Sequence, residues 1–126
     1  MQLNDLTGAI ISSAIEVHKT LGGPGLLEGL YEEALAWELM KRNIKIERQI
    51  EVPVIYKGTE LAYPLRLDLL VNGQVIVEVK SVSVYNSIFE AQLLTYLRLM
   101  NLKLGLVINF GEKMVKDGVH RVVNGL

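Results

Sequence analysis

The sequence predicts a single α/β domain in which helices pack on a mixed β-sheet. Three observations indicate this class: helical spacing of apolar residues in the N-terminal third, strict apolar–polar alternation after it, and a continuous apolar run near the C-terminus. The chain has 126 residues, which suits one compact domain, and we expect that domain to span 1–126.

Two helices open the chain. Apolar residues at three- and four-residue spacing predict a first helix from about Asp5 to Thr20, with Asn4 or Asp5 as its N-cap. The sequence LGGPG at 21–25 breaks that helix. The same spacing predicts a second helix from about Leu27 to Arg42, and Asn43 ends it.

A meander of three strands follows. Alternation from Ile44 to Tyr56 predicts a first strand with its apolar residues on one side. Lys57-Gly58-Thr59 then turns the chain into a second strand, about Leu61–Val71. Asn72-Gly73-Gln74 turns it into a third, Val75–Ser81.

The C-terminal part predicts a helix, a buried strand and a hairpin. The helix runs from about Ser87 to Met100 and begins with a capping box formed by Ser87 and Glu90. The apolar run Leu104–Phe110 suits a central strand, and we expect a final hairpin, Lys113–Val123, to turn at Asp117-Gly118.

Charged residues interrupt the second and third strands at Asp68, Glu78 and Lys80. Pairing the apolar faces requires Val71 opposite Val75, Leu69 opposite Val77 and Leu67 opposite Val79. A two-residue turn would place the charged faces on opposite sides of the sheet, so we predict a three-residue connection or a bulge near 72–74. This register sets Asp68 across from Glu78 and Arg66 across from Lys80.

Two facing carboxylates repel each other unless a cation or a proton lies between them. Oxygen ligands suit Mg²⁺ or Mn²⁺, and Lys80 on the same side could stabilise charge on a reacting phosphate. The alternative is a solvent-exposed sheet face with salt bridges from Asp68 to Lys80 and from Glu78 to Arg66.

Helical motifs add context to these strands. In the segment Gly25–Tyr31, Glu28 and Tyr31 lie on one face at the start of the second helix, and Gln92 and Tyr96 share one face of the third. With these motifs the chain resembles the GxxExxY proteins, a branch of the PD-(D/E)XK nuclease superfamily. The resemblance covers nearly the whole chain: EVHKTLGGPGLLEGLYEEAL, IERQIEVPVIYKGTEL, LDLLVNGQVIVEVKSV, EAQLLTYLRL and GLVINFGEKMVKDGVHRVVN.

The resemblance implies a restriction-endonuclease-like core, and it implies a role for each residue of the site. Asp68 and Glu78 would bind the metal, Val79 would offer its backbone carbonyl, and Glu28 would bind directly or through water. Lys80 would be the motif lysine, and Gln92 and Tyr96 would orient the site, so the implied catalytic residues are Asp68, Glu78, Lys80, Gln92 and Tyr96. One departure is Gly22-Gly23, where the family pattern has a single glycine before proline.

The resemblance therefore implies a metal-dependent nuclease that hydrolyses phosphodiester bonds. Nucleic acid is the expected partner, DNA ahead of RNA. The net charge of −1 argues against tight DNA binding without a bound cation. The alternative is a non-catalytic binding or assembly module that keeps the nuclease fold.

Composition gives further expectations. The chain is 50% hydrophobic, which leaves apolar residues for a homodimer interface in addition to a core. It has no cysteine, no apolar run long enough to span a bilayer and no signal-peptide pattern, so we expect a cytoplasmic protein without membrane contact.

Several other polar and aromatic residues have simpler expected roles. We expect His18 on a helix surface and His120 in the C-terminal hairpin. We expect Glu32, Glu33 and Glu38 to form a solvated helix face. Trp37 and Phe89 suit a core or an interface, and Tyr31 could pack with its hydroxyl touching the site.

Overall fold

The computed structural model describes all 126 residues as a five-stranded mixed sheet with helices on both faces. This architecture agrees with the predicted class and with a restriction-endonuclease-like core. The elements are α1 (Leu3–Thr20), α2 (Glu28–Lys41), β1 (Ile46–Val52), β2 (Ile55–Tyr56), β3 (Thr59–Glu60), β4 (Leu65–Val71), β5 (Val75–Lys80), α3 (Ile88–Met100), β6 (Leu104–Asn109), a 3-10 helix (Val115–Gly118) and β7 (Val119–Val123).

The strands lie in the order β1-β4-β5-β6-β7. Neighbours are antiparallel except β5 and β6, which are parallel and are joined by α3 as the crossover. Both parallel strands therefore end at the same edge of the sheet, where Lys80 lies beside Asn109. We call this the carboxyl edge.

Each face of the sheet has its own apolar core. Helices α1 and α2 cover one face, where Leu35 and Leu39 pack with Val77 and Val79. Helix α3 covers the other face with Leu93 and Leu97. No helix is both long and apolar enough to cross a membrane.

The predicted β4–β5 register is confirmed for two of its three pairs, whereas Leu67 and Val79 do not pair and pack in opposite cores. Val71 pairs with Val75 and Leu69 pairs with Val77. The connection has three residues, 72–74, because Asn72 and Gly73 adopt left-handed conformations and the Gln74 N–H donates to the Val71 carbonyl at 3.0 Å.

The first predicted strand is not continuous. It ends at Val52 because Pro53 has no N–H to donate to the ladder. The next residues form a separate two-stranded ribbon, β2 with β3, that turns at Lys57-Gly58. The second strand of the meander begins at Leu65 rather than Leu61.

The apolar residues of β1 and β4 also do not keep to one face. Ile46, Leu69 and Val71 pack with the α1–α2 core, whereas Ile50 and Leu67 pack with the α3 core. Each strand changes face at one point: β1 at Gln49, which has a φ of 51°, and β4 at Asp68, and the β1–β4 ladder is interrupted at these two residues. The prediction of a single apolar face was wrong because periodicity does not encode this local rotation.

The C-terminal hairpin was also predicted wrongly. Residues 115–118 form the 3-10 helix, and only Val119–Val123 forms a strand, paired antiparallel with β6. A Cβ on Gly118 would lie 2.3 Å from the Asn109 carbonyl oxygen, so this close approach requires glycine.

The starts of α1 and α3 differ from the predicted caps. Gln2, and not Asn4 or Asp5, is the N-cap of α1. At α3, Ser87 is the N-cap residue but its side chain forms no capping hydrogen bond, and the Asn86 side-chain oxygen accepts the Ile88 N–H at 3.0 Å.

Candidate active site

Asp68 and Glu78 meet where the ladder between β4 and β5 opens. The Glu78 Oε2 accepts the Asp68 N–H at 3.3 Å, and the Asp68 Oδ2 accepts the Val79 N–H at 2.8 Å. Side-chain oxygens therefore replace the carbonyl acceptors of a regular ladder. The two carboxylates are held close by the backbone of both strands.

Glu78 is buried although its charge has no full partner. Its side-chain Oε1 is buried without a hydrogen-bond donor. Burial, followed by the nearby charge of Asp68, raises the pKa of Glu78 from 4.5 to about 9. An uncompensated buried carboxylate of this kind is stabilised by a proton or by a cation.

The Val79 carbonyl points toward the same opening. The Lys80 carbonyl accepts the Phe110 N–H at 2.8 Å, so it points toward β6. Successive residues of an extended strand direct their backbone groups to opposite edges. The Val79 carbonyl therefore points toward β4, as its N–H does.

Lys80 does not form the salt bridge that an exposed sheet face would require. Its Nζ lies 4.5 Å from the centre of the Phe89 ring. Arg66 pairs with Glu51 at 2.9 Å rather than with Glu78. Since neither expected ion pair forms, the salt-bridged sheet face is excluded and the Lys80 ammonium remains free of the carboxylates.

Helix α3 closes the site. Gln92 and Tyr96 line a small cavity of about 110 Å³ together with Asp68, Glu78 and Lys80. Burial raises the pKa of Tyr96, and the charges of Glu78 and Asp68 raise it further. The phenol thus keeps its proton and can donate a hydrogen bond in the cavity.

Two residues of the second-helix motif lie elsewhere. Glu28 is exposed on the first turn of α2 and does not line this cavity. The Tyr31 ring is buried and stacks on Phe110 with centroids 4.6 Å apart. Its hydroxyl donates to the Gly23 carbonyl at 2.7 Å and accepts the Leu26 N–H at 3.2 Å, so it orders the glycine-rich loop.

Two expectations of solvated side chains were wrong. His18 is buried, and its Nε2 donates to the Glu112 carbonyl at 3.0 Å. Glu32 is buried and pairs with Arg48 at 3.0 Å, while its other oxygen accepts from the Gln49 side chain at 2.8 Å. The helical spacing of apolar and polar residues gives no information about these partners, which are distant in sequence.

Sequence reasoning missed an aromatic cluster beside the cavity. The Tyr85 ring stacks on His120 with centroids 3.9 Å apart, and its edge contacts Phe89. The Tyr85 hydroxyl donates to Glu90 at 3.2 Å. The only available signal was the aromatic content near the start of α3, because His120 comes from the distant strand β7.

A model of the PD-(D/E)XK nuclease superfamily matches residues 4–122. The chain belongs to the PD-(D/E)XK nuclease superfamily. This membership indicates a nuclease-like function with a nucleic acid substrate, and PD-(D/E)XK nucleases usually use divalent metals. No curated protein and no solved structure matches the chain.

The donor set of this PD-(D/E)XK domain fits a hard divalent cation. Asp68 and Glu78 supply carboxylate oxygens, the Val79 carbonyl points to the same opening, and the orphaned Oε1 of Glu78 lacks any other partner. No group of three or more histidine, cysteine, aspartate or glutamate side chains is placed to bind a metal.

Proposed function

We propose that this chain is a metal-dependent nuclease that hydrolyses phosphodiester bonds, with DNA ahead of RNA as substrate. The observation that carries the proposal is the interlocked pair Asp68 and Glu78, with a buried carboxylate oxygen that has no partner. Backbone hydrogen bonds hold these two carboxylates close together, so they repel each other. A cation bound between them would stabilise the folded chain by removing this repulsion.

Asp68, Glu78 and the Val79 carbonyl would hold Mg²⁺ or Mn²⁺. When bound, the ion would supply Lewis-acid stabilisation of charge on a phosphoryl oxygen. Glu28 lies outside the cavity, so the proposed ligand set does not include it.

The remaining residues would act on the substrate directly. The Lys80 ammonium lies over the Phe89 ring and forms no salt bridge with either carboxylate, so it is available to neutralise negative charge that develops on phosphate. Tyr96 would donate a hydrogen bond from its protonated hydroxyl, and the exposed amide of Gln92 would orient a phosphate oxygen or the attacking water.

Cleavage assays on DNA and RNA test the proposal. The wild-type chain should cleave with Mg²⁺ or Mn²⁺ and not with EDTA. Lys80→Ala should lower kcat by a factor on the order of 10² to 10³, the usual loss for one stabilising donor. Lys103→Ala is the matched control, since Lys103 is exposed at the opposite end of β6. Intact substrates, or full cleavage by Lys80→Ala, would contradict the proposal.

We also propose that the chain belongs to the GxxExxY branch of the superfamily. The order of Gly25, Glu28 and Tyr31 supports it, together with the ordered glycine-rich loop that the Tyr31 hydroxyl bridges. The additional residue of Gly22-Gly23 is accommodated by left-handed conformations, with φ of 91° and 96°.

A second candidate function is a non-catalytic binding or assembly module. An exposed apolar stripe on α2 favours it, because Leu30, Trp37 and Met40 are 52%, 56% and 61% exposed. This function predicts stable association with another protein and no metal-dependent cleavage.

We propose that the stripe is a homodimer interface under either function. Glu33, Trp37 and Lys41 are four residues apart and therefore lie on the same side of α2. Two antiparallel copies of α2 crossing at Trp37 would place Glu33 opposite the partner's Lys41, twice by symmetry. This self-complementary charge pattern supports a second copy as the partner.

A further inference from the structure

A second cavity, of about 340 Å³, lies at the end of α1 and has a basic lining. Lys19, Lys113 and Lys116 line it and are exposed, and no acidic side chain does so. This concentration of positive charge is notable in a chain whose net charge is −1. We call the three residues the lysine cluster.

The segments that carry the lysine cluster are fixed to one another. His18, one residue before Lys19, donates its Nε2–H to the carbonyl of Glu112, one residue before Lys113. Val115, one residue before Lys116, is buried in the α1–α2 core. The lysines thus come from anchored backbone, and their side chains extend into solvent.

A third cavity, of about 460 Å³, lies between the lysine cluster and the carboxylates. It begins at Ser81, directly after Lys80, and it includes Pro24, directly after Gly23 of the basic cavity. Gly111 lies on its floor, two residues before Lys113. Residues next to each other in the chain therefore line successive cavities, and we call this row of three cavities along the carboxyl edge the groove.

Hydrogen bonds hold the floor of the groove rigid. The Ser81 hydroxyl donates to the Leu26 carbonyl at 2.7 Å. The buried Asn109 amide bonds to both backbone groups of Val82, as acceptor and as donor, each at 3.0 Å. A Cβ on Gly111 would lie 2.2 Å from the Val82 carbonyl oxygen, so the two backbones are in direct contact.

We propose that the lysine cluster binds backbone phosphates of the same nucleic acid strand whose phosphodiester lies beside Asp68 and Glu78. This inference rests on the proposed nuclease function. An acidic, cation-dependent site and a separate basic site along the same edge of the sheet suit a polyanionic strand, which is long enough to contact both. The cluster supplies the positive charge that the chain as a whole lacks.

The proposal predicts a minimum substrate length. The groove crosses from β4 over β5 to β6, two strand spacings of about 4.8 Å each, before it reaches Gly111 and the lysines. Charges on one DNA strand recur about every 3.4 Å along the helix axis. A ligand that reaches both sites must therefore be longer than a dinucleotide.

The test measures binding without cleavage. The parent is the Asp68→Asn variant, and the test variant also carries glutamine at Lys19, Lys113 and Lys116. Fluorescence anisotropy measures their binding to a labelled single-stranded DNA of 20 nucleotides, in EDTA and over a range of salt concentrations. Each lost phosphate contact lowers the slope of log K against log salt by about 0.7, so the slope should fall by about 2. Affinity should fall at least tenfold at low salt.

The matched control carries glutamine at Lys45, Lys57 and Lys103, which are exposed and line none of the three cavities. It should bind like the parent. Thermal unfolding of both triple variants checks that each is folded. Dinucleotides should compete much more weakly than the 20-residue strand.

The outcomes separate the two proposals. Equal affinity and equal salt slope in the two triple variants would overturn the lysine-cluster inference, even where the wild-type chain cleaves with Mg²⁺. Competition by inorganic phosphate as strong as by the oligonucleotide would also overturn it, because the cavity would then bind a small anion. A wild-type chain that neither binds nor cleaves would overturn the nuclease function and this inference with it.

Discussion

The Glu78 carboxylate accepts the backbone N–H of Asp68 at 3.3 Å, at the point where β4 and β5 separate. The Asp68 carboxylate in turn accepts from the residue after Glu78. Each acid is therefore a structural element of the sheet as well as a candidate ligand. Substitutions here change the free energy of unfolding and the proposed activity together, so stability measurements report on the site.

The first prediction concerns pH. The pKa of Glu78 is raised in the folded chain, so the folded state binds the proton more tightly than the unfolded state between pH 4.5 and about 9. The free energy of unfolding of the metal-free protein should therefore fall as pH rises through this window, by up to about 1.4 kcal/mol per pH unit from this group. Urea unfolding at several pH values measures it.

Glu78→Gln is the matched variant for the pH experiment. The amide keeps the shape of the protonated side chain but does not titrate, so this contribution to the pH dependence should disappear. Above neutral pH the variant should be more stable than the metal-free wild type. An unchanged profile in Glu78→Gln would assign the pH dependence to other groups.

The second prediction concerns metal binding. Mg²⁺ or Mn²⁺ should raise the Tm of the wild-type chain at neutral pH, because a cation bound between the carboxylates stabilises only the folded state. At 100 times its Kd the ion contributes about 2.7 kcal/mol. Asp68→Asn should abolish the shift, whereas Glu28→Gln should retain it, since Glu28 lies outside the cavity. Equal shifts in wild type and Asp68→Asn would contradict this ligand set.

Sequence periodicity predicted most of the sheet and the strand part of the site, for a physical reason. A one-residue slip of β4 against β5 would turn each side chain to the opposite face of the sheet, so the pattern determines the pairing of Leu69 with Val77. The same register brings Asp68 to Glu78.

Features that depend on distant residues could not be predicted in this way. Buried Glu32 meets Arg48 from another element, and the 3-10 helix forms where Gly118 contacts Asn109. The face change at Gln49 is also non-local, because both Gln49 and Arg48 donate to Glu32 on α2. Local alternation contains no information about such partners.

The third prediction tests the left-handed conformation of Gln49, whose φ is 51°. Gln49→Gly and Gln49→Ala both lose the hydrogen bond to Glu32, but only alanine retains the steric cost of this backbone. Gln49→Gly should therefore be more stable than Gln49→Ala by about 1 kcal/mol in urea unfolding.

Glu51, in the same strand, supplies the control pair. Its backbone is not left-handed, and both Glu51→Gly and Glu51→Ala lose the ion pair with Arg66. Glycine should be the less stable residue there, by roughly 0.5 to 1 kcal/mol. The same order at both positions would show that Gln49 is not strained.

The fourth prediction concerns the floor of the groove. Gly111→Ala places a Cβ 2.2 Å from the Val82 carbonyl oxygen, so one of the two backbones must move. We expect a loss of about 3 kcal/mol in the free energy of unfolding. Gly8→Ala is the control, because nothing lies within 4 Å of its Cβ position in α1, and it should gain up to about 1 kcal/mol. Similar stability of the two variants would contradict this account.

The fifth prediction concerns the apolar stripe of α2. Trp37 is 56% exposed, and a symmetric crossing of two α2 helices would bury it against the partner's Trp37. Trp37→Glu should convert the dimer to a monomer, because it places two like charges at the centre of the interface. Sedimentation equilibrium measures the change in mass.

Tyr63→Glu is the control for the dimer experiment. Tyr63 is 85% exposed and lies between β3 and β4, away from α2, so its substitution should leave the dimer intact. Exchanging the charges tests the antiparallel geometry. Glu33→Lys should weaken the dimer, because the introduced ammonium group would face the partner's Lys41. Glu33→Lys combined with Lys41→Glu should restore the dimer. A wild-type chain that sediments as a monomer would refute the interface, and failed restoration would refute the antiparallel crossing at Trp37.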